Sequence, residues 1–375
     1  MKAIRIVLAF VLSLGLFSVS TASAAVKPID RYDFWDVDPS HQFYDAIERF
    51  IYSDLIDGYV EKEVEVEDGE TYEYSFVTVR PNENITRAQF TKILVNALSL
   101  KAGNKSVEFS DVKSSRWYYD YVRIASSNGI VTGSNGKFNP DANITRDQMA
   151  AMIYRAFKGT VVFKTPVKTF KDVPATSFAY EAVTKSAANG IIRGYGDLFK
   201  PHEKATRGQA IVMIDRALQQ EAGTADDRTA VKEVVERNTA EESRLMAAGD
   251  LSGLDALYKE TATGYYLSLA TDESLMFTED DFEEGVTYSI EQIGTHTVSP
   301  GTVHKRFAQA RIDNLKYKVS FTAPDMSFTI NIDASGTAHL KKGSDGKWKI
   351  YNIVLDEEFE ETLEDEFAAA AANAS

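Results

Sequence analysis

The sequence predicts a multidomain protein: an all-α bundle of three repeats, followed by an α+β domain in which helices lead into an antiparallel sheet. Three observations carry this reading. A set of landmark residues recurs three times between residues 34 and 218, the charge turns strongly acidic after residue 219, and the last 70 or so residues are short apolar runs punctuated by Ser335-Gly336 and Asp345-Gly346. The length of 375 residues suits two or three domains, and 44% apolar with 26% charged residues is the balance of a folded chain. A net charge of −15 argues against nucleic-acid binding by the whole chain, and the lack of cysteine excludes disulfides, thiolate metal sites and cysteine nucleophiles.

At the N-terminus, Lys2 and Arg5 precede an apolar run from Ile6 to Val19, and Ala22-Ser23-Ala24 supplies small residues before a cleavage point. We read residues 1–25 as a signal peptide cut after Ala24 or Ala25. The run is too short to span a bilayer, so an exported protein with no membrane span after cleavage is expected, without reliance on disulfides, as on a Gram-positive cell surface.

The repeats come next. Phe109-Ser-Asp-Val112 leads to Ile144-Thr-Arg-Asp-Gln148, and Phe170-Lys-Asp-Val173 leads to Ala205-Thr-Arg-Gly-Gln209, both across 35 residues. Phe34-Trp-Asp-Val37 leads to Ile85-Thr-Arg-Ala-Gln89 across 51, so the first copy carries 16 extra residues. Gly58, Gly133 and Gly194 each lie 24 residues after the opening Phe, and Pro81, Pro140 and Pro201 each sit five before the Thr. The repeats run over residues 30–98, 109–157 and 170–218.

Each copy reads as two helices joined by a turn-rich loop. Phe43/Ile47/Ile51, Tyr118/Val122/Ala125 and Phe178/Val183/Ala187 mark the buried face of the first helix. The second opens on a capping box, Thr86 with Gln89, Thr145 with Gln148 and Thr206 with Gln209, and continues as an apolar stripe such as Phe90/Ile93/Leu94/Ala97. Neither stripe can be buried within one repeat, so the three copies should pack as one bundle with approximate threefold arrangement. The glycines are expected to serve positive-φ turns. The extra residues of the first copy read as an acidic hairpin over 61–76, turning at Asp68-Gly69, with a solvated outer face or, alternatively, a cation site.

Repeated F-x-D-V, central Gly, F-x-P and I-T-R-A-x-x elements over residues 30–218 resemble the S-layer homology domains of bacterial cell-surface proteins. The resemblance implies non-covalent anchoring to a secondary cell wall polysaccharide or peptidoglycan-linked glycan, often bearing a ketal-linked pyruvate carboxylate. The charge agrees: without the hairpin, residues 26–218 hold 24 basic and 19 acidic residues, whereas residues 219–375 hold 14 and 30. Arg87, Arg146 and Arg207 follow the capping Thr, in a helical turn where the macrodipole disfavours a cation. Beside free helix amides, such a guanidinium is a carboxylate receptor, and its removal should then hardly change stability. The structural alternative pairs each Arg with Asp36, Asp111 or Asp172 across repeats. Trp35, Trp117, Tyr118 and Phe178 are candidate sugar platforms, with core packing as the alternative; Asp36, Asp111 and Asp172 with Gly58, Gly133 and Gly194 complete the candidate polysaccharide-binding set.

After a linker over 219–228, helices are expected from about Thr229 to Ala248 and from Ser252 to Glu260, then a strand near Tyr265–Ala270 and a helix from Thr278 to Gly294. Five strands should follow: Val303–Ile312, Leu315–Thr322, Phe328–Ile332, Thr337–Lys342 and Trp348–Val354. This order, with AAGDLSGLDALY at 247–258 and DGKWKIYNI at 345–353, resembles the cone-shaped ketosteroid-isomerase and nuclear-transport-factor fold over residues 229–356. Such a cone implies a pocket for a small ligand, or for catalysis by groups such as Asp333, His339, Tyr265 and Tyr317, although no spacing identifies a catalytic residue. His296 and His304 read as surface residues, no cofactor or metal is implied, and residues 357–375 form an acidic, Ala-rich tail with Phe359, Leu363 and Phe367 four apart. The functional reading is a wall-anchored surface protein displaying an acidic domain. The alternatives are a secreted enzyme or carrier acting through the cone, and a structural protein of the S-layer.

Overall fold

The computed structural model describes residues 26–67, 70–104, 107–166, 169–272, 287–322 and 327–356. It forms two compact units: residues 33–222 with 304–306, and the remaining described residues. The signal-peptide reading, the Asp68-Gly69 turn and the tail fall outside the described residues.

In the first unit each repeat supplies the two expected helices: α1 (Tyr44–Tyr52) and α2 (Arg87–Ala97), α3 (Tyr119–Ser127) and α4 (Arg146–Phe157), α5 (Tyr180–Ala188) and α6 (Arg207–Leu218). Between α1 and α2, strands β1 (Tyr59–Glu67) and β2 (Glu70–Thr78) pair antiparallel as the acidic hairpin, slightly longer at both ends than its sequence suggests. The second helices pack together at the centre, and each lies on the first helix of the next copy: α2 on α3, α4 on α5, α6 on α1. A ring of backbone hydrogen bonds closes the threefold arrangement: Ile144 N donates to Ile85 O, Ala205 N to Ile144 O, and Ile85 N to Ala205 O, each at 3.0 Å. A single repeat cannot make this ring, which is why the copies fold as one body.

The stripes of α2, α4 and α6 are buried apart from a half-buried Ala156. The first helices differ from expectation at Phe178, which is 64% exposed and lies ahead of α5 rather than on its buried face. Gly58 and Gly133 have φ of +64°, as a turn requires, but Gly194 does not adopt positive φ. There the constraint is space, because a Cβ would lie 2.3 Å from the Phe170 ring and 2.6 Å from Leu198 O. Gly208 has a similar cause: its Cβ would meet the Phe43 ring at 2.7 Å, whereas the matching positions of the other copies hold Ala88 and Asp147.

The second unit opens with α7 (Ala225–Ala248), α8 (Leu251–Thr261) and α9 (Gly264–Ala270). The linker is shorter than expected, because Thr224 and Asp227 form a capping box that starts α7 at residue 225. Residues 264–270 are helical, not a strand. Burial alternates along them as a strand's would, but Gly264 at φ +58° turns the chain into α9 just after Thr263 N bonds Ile350 O. The expected helix over 278–294 is also corrected in its described part: β3 (Thr287–Ile293) is a strand whose full length pairs with β6 (Lys316–Thr322). The first of the five expected strands, Val303–Ile312, is β5 (Phe307–Asp313), and before it lies a strand the sequence reading did not expect, β4 (Thr297–Val303), an edge strand that tolerates Pro300 beside a bulge. With β7 (Ser327–Asp333), β8 (Gly336–Lys342) and β9 (Trp348–Leu355), the strands form two antiparallel sheets, ordered β3-β6-β7 and β4-β5-β8-β9, and neither closes into a barrel. Val231 and Val235 of α7, Leu254 of α8 and Tyr266 of α9 share a core with Ile312, Leu340 and Ile350 of the sheet.

Candidate functional site

At the start of each second helix, capping holds the chain. Thr86 and Gln89 exchange the two bonds of a capping box, as do Thr206 and Gln209. In the second copy the Gln148 amide also meets Asp147 Oδ1 at 2.7 Å. The next amides are not free, contrary to the sequence reading. Arg87 N donates to Ala142 O and Ala88 N to Pro140 O; the Arg146 and Asp147 amides donate to Glu203 O and Pro201 O; the Arg207 and Gly208 amides donate to Glu83 O and Pro81 O. Each helix start is thereby bonded to the loop of the neighbouring repeat, and no anion can sit on these amides.

The three guanidiniums follow the same cyclic rule. Nε of Arg87, Arg146 and Arg207 donates to Phe138 O, Phe199 O and Val79 O at 2.8, 2.9 and 2.8 Å. Arg146 also donates to Arg193 O, and Arg87 to Gln148 Oε1. Each cation lies over a ring: Arg87 over Phe138, Arg146 over Tyr195 and Phe199, Arg207 over Tyr59. Among the described residues none of the three forms an ion pair. Burial pushes the pKa of each below the usual arginine value, with nearby groups such as Asp111 beside Arg87 opposing it weakly.

The aspartates are engaged elsewhere, so the proposed Arg–Asp bridges do not form. Asp36 accepts the amides of Val79 and Arg80, Asp111 those of Phe138 and Asn139, and Asp172 those of Phe199 and Lys200, at 2.6–2.8 Å. Each carboxylate thereby shapes the loop whose carbonyl receives an arginine. Burial would raise the pKa of Asp111 and Asp172, but the two amides and nearby cations outweigh it and hold both low.

Two of the arginines border open grooves. Arg87 lines one of about 560 Å³ with Gly133, Lys137, Gln148, Arg155, Phe178 and Lys204, and among the described residues no acidic one lines it. Arg207 lines a smaller one of about 200 Å³ with Gly58, Tyr59, Gln89, Trp117 and the ion pair of Lys92 with Asp57 at 3.1 Å. The two match by repeat symmetry: Trp117 and Phe178 each stand eight residues after an opening Phe and are 53% and 64% exposed. The corresponding first-copy residue is Gln42, so the third position has no matching aromatic. Arg146 is only 2% exposed. Tyr118 is buried as core, and Trp35 stacks on Phe76 of the hairpin, its ring centroid 4.8 Å away, rather than lining either groove. Lys137, Arg155 and Lys204 escaped the sequence reading because they come from two different repeats. On the hairpin, among the described residues, no three acidic or histidine side chains converge as a metal site would need.

Comparison with known proteins identifies the repeats. The S-layer homology domain matches residues 33–91, 108–150 and 169–211. The chain carries three S-layer homology domains. It is similar to an endoglucanase of Bacillus sp. (strain KSM-635), 37% identical over 150 residues, covering 38% of this chain and 16% of that protein. It is also similar to a cellulosome-anchoring protein of Acetivibrio thermocellus, 31% identical over 149 residues, covering 37% of this chain and 33% of that one. The S-layer protein sap of Bacillus anthracis matches at 23% identity over 239 residues, 60% of this chain and 29% of its own length. The chain thus spans a third or less of each of these relatives. The S-layer homology domains and these relatives place the protein at the cell surface and support cell-surface anchoring. Among the described residues no helix is long and apolar enough to cross a membrane.

Of Asp333, His339, Tyr265 and Tyr317, Tyr317 lines the cavity of the second unit formed among the described residues, and the other three do not line it. Asp333 instead pairs with Lys316 at 3.1 Å, and the Tyr265 ring lies against Tyr32. His296 and His304 are half-buried rather than surface residues, His296 being bonded to Thr239 and Gln292.

Proposed function

We propose that the three S-layer homology domains hold the protein to the cell wall by binding an anionic secondary wall polysaccharide, with a pyruvate ketal carboxylate as the charged determinant. The observation that carries this is the set of desolvated guanidiniums without ion-pair partners, two of which border open grooves. A buried cation without a counter-ion favours an anionic guest, since a bidentate carboxylate recovers interaction that burial has removed. In the Arg87 groove Lys137, Arg155 and Lys204 add charge of the same sign, and Phe178 offers a flat face for sugar C–H groups. The Arg207 groove repeats the plan in part: Trp117 offers the flat face, but Lys92 is paired with Asp57, which also lines this groove, so this groove is the less positive of the two. Arg146, enclosed by rings and bonded to two carbonyls, serves the fold. On this reading Asp36, Asp111, Asp172 and the three glycines shape the grooves rather than touch the glycan. The acidic second unit is what the anchor displays, and its three helices and two open sheets support a likeness to the cone-shaped fold.

The test is co-sedimentation of the protein with purified walls before and after removal of their secondary polymer. Binding that disappears with the polymer supports the reading. Equal binding to stripped walls refutes it.

A further inference from the structure

The cavity of the second unit presents chemistry that wall binding does not use. Its volume is about 70 Å³, and Met246, Leu269 and Ile312 give it largely apolar walls broken by Glu242, Tyr266 and Tyr317. Glu242 stands on the core-facing stripe of α7 that also carries Val231, Val235 and Leu245, a place where a carboxylate is costly. Its Oε1 accepts from the hydroxyls of both Tyr258 and Tyr266. Oε2 has no hydrogen bond among the described residues, although the side chain lines the cavity and remains partly accessible.

We propose that this cavity binds a compact organic cation, a primary ammonium group carried on a few apolar carbons, with Glu242 as its counter-ion. The inference is independent of the wall-binding reading. An anion is repelled, a plain hydrocarbon leaves Oε2 unpaired, and a large ligand does not fit. An ammonium group donates to Oε2 while its carbons meet the apolar walls.

The groups facing Glu242 from the other elements are Tyr258 of α8, Tyr266 of α9 and Tyr317 of β6, all with phenol pKa values raised by burial and hence neutral. His296, which reaches the cavity-lining Thr239 at 2.8 Å, has its pKa lowered by burial. Glu242 is therefore the group that sets the pH response. Burial, only partly offset by the two phenols, pushes its pKa up to about 7, whereas an alkylammonium keeps its proton well above that. Affinity should follow the ionised fraction, rising about tenfold from pH 6 to pH 8.

Calorimetric titration of the full chain with isobutylamine, isobutanol and isobutyrate tests this. The expected result is saturable binding of the amine alone, about tenfold tighter at pH 8 than at pH 6, and lost by at least tenfold in Glu242→Gln. Binding of the alcohol as tight as the amine, absence of amine binding, or amine affinity that does not rise with pH in the parent protein would each overturn the proposal. The pH comparison on the parent stands whatever the folding of the variant. Wall co-sedimentation by the same protein is expected to be unaffected by isobutylamine, so failure of one reading is distinguishable from failure of the other.

Discussion

Replacing Arg146 by Ala takes donors from two carbonyls, Phe199 O and Arg193 O, in a site that is almost wholly buried. Each carbonyl left without a donor costs about 1–3 kcal/mol, and removing a cation from a helix N-terminus returns about 1 kcal/mol or less. The net loss is about 1–6 kcal/mol, and a mid-range value of about 3 kcal/mol is roughly 6–12 °C in melting temperature for a unit of this size. Arg87 and Arg207 each serve one backbone carbonyl, and the Gln148 Oε1 that Arg87 also meets keeps the Thr145 amide, so their Ala variants should lose about 1–2 kcal/mol. Measured on folded protein, wall affinity should fall in a different order. Arg87→Ala should weaken it most, by about 1.5–3 kcal/mol for a charge-assisted pair, then Arg207→Ala, with Arg146→Ala least. Thermal melts by far-UV circular dichroism and wall-binding isotherms at 20 °C supply the two scales. If the Arg146 variant melts like the parent, the carbonyl contacts carry no stability. If Arg87→Ala binds walls like the parent, that groove is not a receptor.

Three further outcomes are expected. Gly208→Ala should lower repeat stability by about 1–2 kcal/mol by pressing a Cβ against the Phe43 ring, visible as an earlier urea midpoint. Asp111→Asn should destabilise by about 2 kcal/mol near pH 7, because one of the two amide contacts loses its acceptor. Since the folded Asp111 pKa is depressed, the parent's advantage is present above about pH 4 and fades as pH falls through the depressed value, which acid-unfolding curves of parent and variant will show. For Glu242 the sign reverses: a folded pKa raised to about 7 means that parent stability declines as pH rises from the ordinary carboxyl range toward 7. Glu242→Gln should therefore be more stable than the parent at pH 8, by about 1–3 kcal/mol, with the difference closing near pH 4–5 in denaturant titrations.

The repeat unit was largely legible in the sequence because its signals are local and threefold. Thr with Gln three residues on fixes a helix start, and Phe90/Ile93/Leu94/Ala97 fixes its buried face. What bonds to Arg87 was not legible, since Phe138 O belongs to another repeat and a carbonyl has no letter in a sequence. The guanidinium–carbonyl contacts also replace the expectation that losing these arginines would hardly affect stability. In the second unit the strands from Lys316 onward were legible and Asp345-Gly346 turns the β8–β9 hairpin, but Ser335-Gly336, expected as a hairpin turn, passes the chain from one sheet to the other, and Tyr265–Ala270 misled because its burial alternates on a helix set by Gly264. Thr287–Ile293 was assigned from helix-like spacing, but strand pairing with Lys316–Thr322 decides its conformation. Glu242 has a signal in the sequence: it is an acid in register with Val231, Val235 and Leu245 on one helical face.

The most direct test of the central claim removes the proposed charge from the ligand instead of the protein. Purified wall polymer is treated with mild acid to release ketal-linked pyruvate, and binding of the full chain to treated and untreated polymer is compared by calorimetry at 0.1 M salt. At that salt exposed charges are screened beyond about 10 Å, so the desolvated contacts at Arg87 and Arg207 dominate the difference. A loss of about tenfold or more in affinity on removing pyruvate is the predicted result. Equal affinity for the two polymers would contradict the assignment of the arginine-lined grooves as carboxylate receptors.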